Sequence, residues 1–322
     1  MSLAPDEAES LFGRMLDGGM DDADIAATLV ELADRGETAA EIAGAARAMR
    51  ARMKRIAAPP GAIDVCGTGG DGQHSLNIST AVALVVAACE VPVAKHGNRA
   101  ASSKAGAADT LEALGLNLAR AGELAEQTLG DLGIAFLFAQ AHHPALGRIA
   151  PIRKALGRRT IFNLLGPLAN PAGVTRQLVG IANPGLVPVY REAMVMLGAE
   201  RALIVSGEEG LDEMSIAGPT CIAAIGIESL PATLAPADAG LARHPLDSIR
   251  GGDAAYNAAA LRRLLLGEAG AYRDAVLLNA AGALIVAGAA GDLREGAEEA
   301  AEAIDKGLAN ALLNCWIAAC ND

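Results

Sequence analysis

Asp64-Val65-Cys66-Gly67-Thr68-Gly69-Gly70-Asp71-Gly72, followed by Ser75-Leu76-Asn77-Ile78-Ser79-Thr80, is the stretch on which the reading of this chain turns. The run from Ala62 to Cys66 reads as a short buried strand, and the apolar run from about Ala81 to Cys89 as a helix. Between them lie four glycines in six residues. A strand, a glycine turn and a helix N-terminus together make a place for an anion. Glycine lets the backbone approach a ligand closely, and the first N–H groups of a helix have no partner within it. Asn77, Ser79 and Thr80 add side-chain donors. The plainer alternative is a tight turn with a good helix cap. The spacing fits neither the dinucleotide fingerprint nor the triphosphate-binding loop, so neither ligand is expected.

With 322 residues, the chain exceeds the roughly 250–300 at which single cores stop growing, so two domains are expected. It is 52% hydrophobic and 20% charged, which suits a globular protein. Aromatics make up only 2% and the net charge is −12, and both oppose a nucleic-acid surface. The five cysteines are scattered without a C-x-x-C pair, so neither disulfides nor zinc are expected, and a reducing cytoplasm fits. Met1 to Asp22 lacks the pattern of a signal peptide. The longest apolar runs, Ala81–Cys89 and Ala280–Ala290, are too short or too rich in small residues to cross a membrane.

Residues 1–57 read as three amphipathic helices. Leu11, Phe12, Met15 and Leu16 share a face of the first, and Ile25, Leu29 and Leu32 a face of the second. The third opens on the capping box Thr38-x-x-Glu41 and carries Ile42, Ala46, Met49 and Met53. Pro59-Pro60-Gly61 marks a boundary. From Ala62 strands alternate with helices: strands at 91–94, 134–138, 178–181 and 202–205, helices at 106–114, 145–157, 159–165 and 185–197. Short strands and loops follow over 220–250, then helices at 254–266, 270–288 and 296–319. The alternation predicts an α/β fold, a mostly parallel central sheet flanked by helices, with a smaller all-helical domain from the N-terminus.

Ligands of such sheets bind at the carboxyl ends of the strands, and four polar clusters are predicted there. The first is the glycine loop. The second, Lys95-His96-Gly97-Asn98-Arg99 with Ser102 and Ser103, suits a diphosphate or is a solvated basic turn. The third is His142-His143 and the stretch Arg148–Arg159, where five of twelve residues are basic. His142-His143 reads as a turn before Pro144 rather than a metal pair. Most of the cations are expected at the surface, with Arg153 the one to point inward, where it would suit a carboxylate. The fourth is Asp212-Glu213, adjacent carboxylates that suit magnesium, or an acidic loop that binds nothing.

Taken together these motifs resemble the anthranilate phosphoribosyltransferase family, whose fold is shared with pyrimidine nucleoside phosphorylases. The likeness runs through Gly36-Glu37-Thr38, Ala43-Gly44, Cys66–Gly72, Asn77–Thr80, Lys95–Ser103, Leu111–Gly115 and His143-Pro144-Ala145. It continues in Ala150–Arg153, Ile161-Phe162-Asn163, Gly166-Pro167-Leu168, Asn170-Pro171, Gly210–Glu213 and Leu278–Ala281. The resemblance implies that phosphoribosyl pyrophosphate is bound by Gly67, Gly70, Asp71, Ser75, Asn77, Ile78, Ser79 and Thr80. The loop Lys95, His96, Gly97, Asn98, Arg99, Ala100, Ala101, Ser102 and Ser103 would complete that site. It implies anthranilate contacts from Gly67, Asn98 and Arg153, and magnesium near Ser79, Asp212 and Glu213. It also implies a helical domain of residues 1–57, completed by helices around 145–170, that makes a homodimer contact and moves against an α/β domain of residues 58–322. Ala107 departs from the pattern, standing where the family has a serine that donates to the phosphoribosyl group. Two rivals remain open at this point: a pyrimidine nucleoside phosphorylase, and a non-catalytic relative that binds nucleic acid. The Arg153 segment and the Gly-Leu-Asp-Glu loop weigh against the first, the net charge against the second.

Overall fold

The structure, a computed structural model, describes residues 2–100, 104–228 and 230–321. It opens with α1 (Pro5–Leu16), α2 (Asp22–Arg35) and α3 (Ala39–Arg50). The expected capping box forms: Thr38 accepts from the Glu41 amide while Glu41 accepts from the Thr38 amide. The buried Glu41 carboxylate also takes the Leu3 amide and the Arg35 guanidinium, so one side chain gathers the N-terminus, α2 and α3. A Cβ on Gly44 would stand 2.6 Å from the Ala8 Cβ, so α3 lies directly on the backbone of α1.

The α/β part runs β1 (Ile63–Gly67), α4 (Ile78–Ala88), β2 (Val93–Gly97), α5 (Ala107–Ala113), α6 (Leu118–Glu123), α7 (Ala125–Asp131), β3 (Ile134–Phe138), α8 (Ala139–His142) and α9 (Leu146–Leu156). It continues β4 (Arg176–Gly180), α10 (Val187–Met196), β5 (Arg201–Gly207), β6 (Thr220–Ile225), β7 (Thr233–Leu234), α11 (Ala254–Leu265), α12 (Ala271–Ala287), α13 (Leu293–Asp305) and α14 (Leu308–Asn321). Among the described residues the strands form one sheet in the order β3-β2-β1-β4-β5-β6-β7. The first five are parallel, and β6 and β7 run antiparallel at one edge.

Side chains of β1, β4 and β5 alternate between two cores, as successive strand residues must, while Ala94, Ala135 and Leu137 of β2 and β3 pack with Ala125 and Leu129 in a smaller third cluster. Ile63, Val65, Leu178, Leu203 and Val205 pack with α4 and α12 to α14. Cys66, Val179, Ala202 and Ile204 face α10 and the helical bundle. Ile149, Ile152, Ile161, Phe162 and Leu168 join that second core, with the Phe162 ring 5.8 Å from Phe12. The segment 146–168 therefore packs with the N-terminal helices although it lies far from them in the sequence.

Four expectations are corrected. The second strand covers Val93–Gly97, not 91–94. Pro92 has no N–H to give the ladder, whereas Lys95 and His96, read as loop, pair with Phe136 and Leu137. Residues 159–165 hold only a tight turn at Ile161–Asn163. The span 296–319 is two helices, parted at Gly307, whose φ of +72° is left-handed. Helices α6 and α7, which carry Ala121 and Leu129 into the core, are short enough for their periodicity to have escaped notice.

Candidate active site

The strand order reverses between β1 and β4. The chain winds outward from β1 through β2 to β3, then returns beside β1 to build β4 and β5. In open α/β sheets a crevice forms at such a switch point, at the carboxyl ends of the strands. Here it is floored by Gly67 and Gly180, paired partners at the ends of β1 and β4. The glycine loop rises from Gly67, with Gly69, Gly70 and Gly72 at φ of +67°, +72° and +73°, values that side-chain-bearing residues rarely adopt. Thr68 is anchored to β4 by its amide on the Gly180 carbonyl. Further on, Ser75 bridges Arg250, and the Leu76 amide reaches Ile249, so a second loop pins the entry to α4.

Asp212 and Glu213 enter this crevice from the loop after β5. The Gly69 amide donates to Asp212 Oδ2 at 2.6 Å, and Glu213 accepts from the Ser79 backbone in the first turn of α4. Burial holds both carboxyls well above the ordinary carboxylate range, and their mutual repulsion and the nearby Asp71 add to this. The loop is held from behind by Asn279 of α12, which accepts from the Met214 amide at 2.8 Å and donates to the Met214 carbonyl at 3.0 Å. Ser79 Oγ lies on the same floor, 3.2 Å from Lys95 Nζ. The Ser79 hydroxyl and two adjacent carboxyls, whose ionised form burial and repulsion disfavour until a cation neutralises it, form an oxygen donor set fit for a hard divalent cation. The buried Thr80 hydroxyl, one residue on, has no hydrogen-bond partner among the described residues.

The other sequence-selected residues divide. Lys95 is buried, its ammonium donating to the Val65 carbonyl at 2.8 Å and to Ser79, so it lies beneath the crevice rather than in a loop. Arg99 is tied to Asp109 at 2.9 Å and to Glu112 at 3.0 Å. Asn77 is the residue before α4, but its side chain does not cap that helix. Its Oδ1 takes Thr110 and Asn257, and its Nδ2 reaches the Ala105 carbonyl. Ile78 is buried beneath that first turn. Ala100 and Gly106 both donate to the Asp109 carboxylate, which lies close to both. A side chain on Gly97 would meet the Phe136 ring at 2.7 Å, with the Ala107 Cβ 3.4 Å away. Asn98 is exposed. Ala101, Ser102 and Ser103 lie outside the described residues.

The facing lip is the end of α8 and the segment after it. His142 Nδ1 is 2.8 Å from the Lys54 carbonyl. His143 and His96 stand with ring centroids 5.2 Å apart. Burial and their mutual repulsion lower His96 to about 3, and burial lowers His143 to about 4, so both are neutral at physiological pH. Arg153 is the half-buried member of the basic stretch. It lies over the Phe162 ring with its guanidinium 3.4 Å from Asn163 Oδ1.

Two family models match the chain. One describes a glycosyl transferase family helical bundle domain and covers residues 1–53; the other describes the α/β domain of that family and covers residues 59–310. The anthranilate phosphoribosyltransferase of Novosphingobium aromaticivorans is 67% identical, over 99% of both chains. That of Sphingopyxis alaskensis is 68% identical over 97% of this chain and 95% of its own. This chain belongs to the anthranilate phosphoribosyltransferase family. The crystal structure of the Thermus thermophilus family member superposes with a TM-score of 0.93 at 42% identity, covering all of this chain and 97% of that one. The enzyme from Saccharomyces cerevisiae in complex with phosphoribosyl pyrophosphate and magnesium gives 0.89 at 27% identity, over 99% and 94%.

Three further residues brace this crevice. Gly180 closes its floor beside the family's glycine loop. Asn279 holds the acidic loop through Met214. Asp64, buried at the start of the family signature, accepts from Asn170 at 2.7 Å and from the His96 amide at 3.1 Å, which ties the returning segment to β2. A buried Asp within an apolar strand was the available signal.

Proposed function

We infer that the crevice transfers the phosphoribosyl group of phosphoribosyl pyrophosphate to the amine of anthranilate. The bond from the anomeric carbon to the pyrophosphate oxygen breaks, a bond to nitrogen forms, and the amine releases a proton. The observation that carries this reading is the desolvated Asp212–Glu213 pair set against a glycine loop and a helix N-terminus at the switch point. Loss of anthranilate fluorescence on adding phosphoribosyl pyrophosphate and magnesium, with N-phosphoribosyl anthranilate identified by mass, tests it. Absence of that product would overturn it.

In this reading Asp212, Glu213 and Ser79 hold magnesium, which when bound neutralises the departing pyrophosphate. The backbone of Gly67–Gly72, with Asp71, and the turn Ser75–Thr80 cradle the donor. The loop from Lys95 to Ala107 completes the cradle, with Lys95 supplying positive charge from below. The chain works by placing its reactants and by electrostatic stabilisation. An arylamine is unprotonated at neutral pH, so no strong general base is called for. Arg153 holds the acceptor carboxylate, with Gly67 and Asn98 beside it. Arg153→Ala is then expected to raise the KM for anthranilate roughly ten- to a hundredfold, from about 1.5–3 kcal/mol of charge-assisted bonding. An unchanged KM would remove the assignment. Restoring the family hydroxyl with Ala107→Ser is expected to lower the KM for the donor by roughly three- to tenfold, the worth of one net hydrogen bond.

Residues 1–57 with those around 145–170 form the helical domain in this reading, and residues 58–322 otherwise form the α/β domain. The helical domain supplies a homodimer contact, which sedimentation would measure. A cytoplasmic setting suits five free cysteines and a chain in which no described helix is long and apolar enough to cross a membrane.

A further inference from the structure

The cations selected from the sequence for the donor are already engaged: Lys95 beneath the floor and Arg99 with two carboxylates. Among the described residues, the cation whose hydrogen bonds go to the backbone of the glycine loop is a different one. Arg159 directs its two terminal nitrogens at the carbonyls of Gly69 and Gly70, at 3.4 and 3.5 Å. Its guanidinium carbon stands 3.7 Å from where a side chain on Gly70 would begin. The segment that carries it is tied to the helical bundle. Arg148, in the first turn of α9, is bonded to the Met20 carbonyl at 2.7 Å and to Asp22 at 3.3 Å, and Arg158, just past α9, to Asp34 at 2.6 Å, which fastens the two ends of this segment to α2 and the turn before it. Gly157, left-handed at φ of +61°, then turns the chain so that Arg158 and Arg159 part, one to the bundle and one across the crevice. Arg153 lies on the same rigid piece, six positions earlier.

We propose that Arg159 is a positioning residue: a latch across the mouth of the crevice that holds the acceptor-binding segment in register with the donor loop. The long contacts to neutral carbonyls suit a latch. They are weak enough to release when substrates enter, and directional enough to set where Arg153 stands when the crevice is closed. The proposal rests on the reading of Arg153 given above for its consequence in catalysis, but not for the latch itself.

Two measurements on Arg159→Ala, Arg159→Lys and the unaltered protein test it. The first is hydrogen exchange of the 66–76 region without substrates. Arg159→Ala is expected to exchange several-fold faster there, with exchange in α2 and α9 unchanged, and Arg159→Lys to fall between. The second is steady-state kinetics. Loss of two modest hydrogen bonds is expected to lower kcat/KM for anthranilate by roughly tenfold while the KM for the donor changes less than about threefold, with Lys recovering part of the loss. Equal exchange in all three proteins would overturn the latch, as would a defect confined to donor binding, which would make Arg159 a ligand instead. If the unaltered protein formed no product but the exchange contrast held, the functional reading would fail and the latch would stand.

Discussion

Replacing Asp212 by Asn together with Glu213 by Gln is expected to lower kcat at least about a hundredfold and, in the absence of magnesium, to raise the thermal midpoint by about 2 °C or more at pH 8. The two effects have one cause. Two carboxyls are packed against each other and against Asp71, and burial keeps both above the usual carboxylate range of about 4. From that pH upward to their raised values the folded chain keeps protons that the unfolded chain has released. The stability of the metal-free protein therefore falls as pH rises through that window. Below it both states are protonated and the pair costs nothing. Amides keep the acceptors used by the Gly69 and Ser79 amides without the repulsion, so the variant gains where the original strains. A divalent cation bound to the ionised pair relieves the same repulsion, so the midpoint shift produced by magnesium is expected to be larger at pH 8 than at pH 6, and to vanish in the double variant. Equal shifts in both proteins would place the metal elsewhere.

What could be read from residues alone follows from how local the cause is. The glycine turn, the Thr38–Glu41 box and the parallel sheet declare themselves through neighbours in the sequence. So did the inward turn of Arg153, because it alone among the basic stretch sits among apolar residues. Lys95 and His96 were misplaced because polarity suggested a loop, whereas β3 and a floor of carbonyl and carboxylate groups make the interior hospitable to them. Asn77 looked like a cap, and its side chain was instead spent on Thr110 and Asn257, the latter 180 positions away, a partner that no window of sequence contains. Arg159 was passed over as one more surface charge because its partners are the carbonyls of a loop nearly ninety positions earlier.

Gly180 illustrates the same limit with the larger consequence. In the sequence it is one more residue of a strand, yet its pairing with Gly67 leaves just enough room for the acidic loop to cross above both. A Cβ at position 180 would overlap the Asp212 carbonyl and come within 3.2 Å of the Asp212 Cα. These are backbone atoms, fixed from one side by the Gly69 amide on Asp212 and from the other by Asn279 on Met214. Gly180→Ala must therefore displace the loop rather than rotate a side chain aside. Overpacking of this kind costs roughly 1–3 kcal/mol. The loss of activity should be larger in proportion, because about 1 Å of misplacement in a catalytic constellation costs on the order of a hundredfold. The expected result is a folded protein, less stable by that amount in urea, with kcat lowered at least about a hundredfold and magnesium dependence weakened. Gly130→Ala, on the exposed face of α7 with nothing within 4 Å, serves as the control and is expected to leave activity unchanged while stabilising its helix. If Gly180→Ala kept full activity, the acidic loop would be free to shift without consequence, and the close crossing of Asp212 over the ends of β1 and β4 would have no part in building the site.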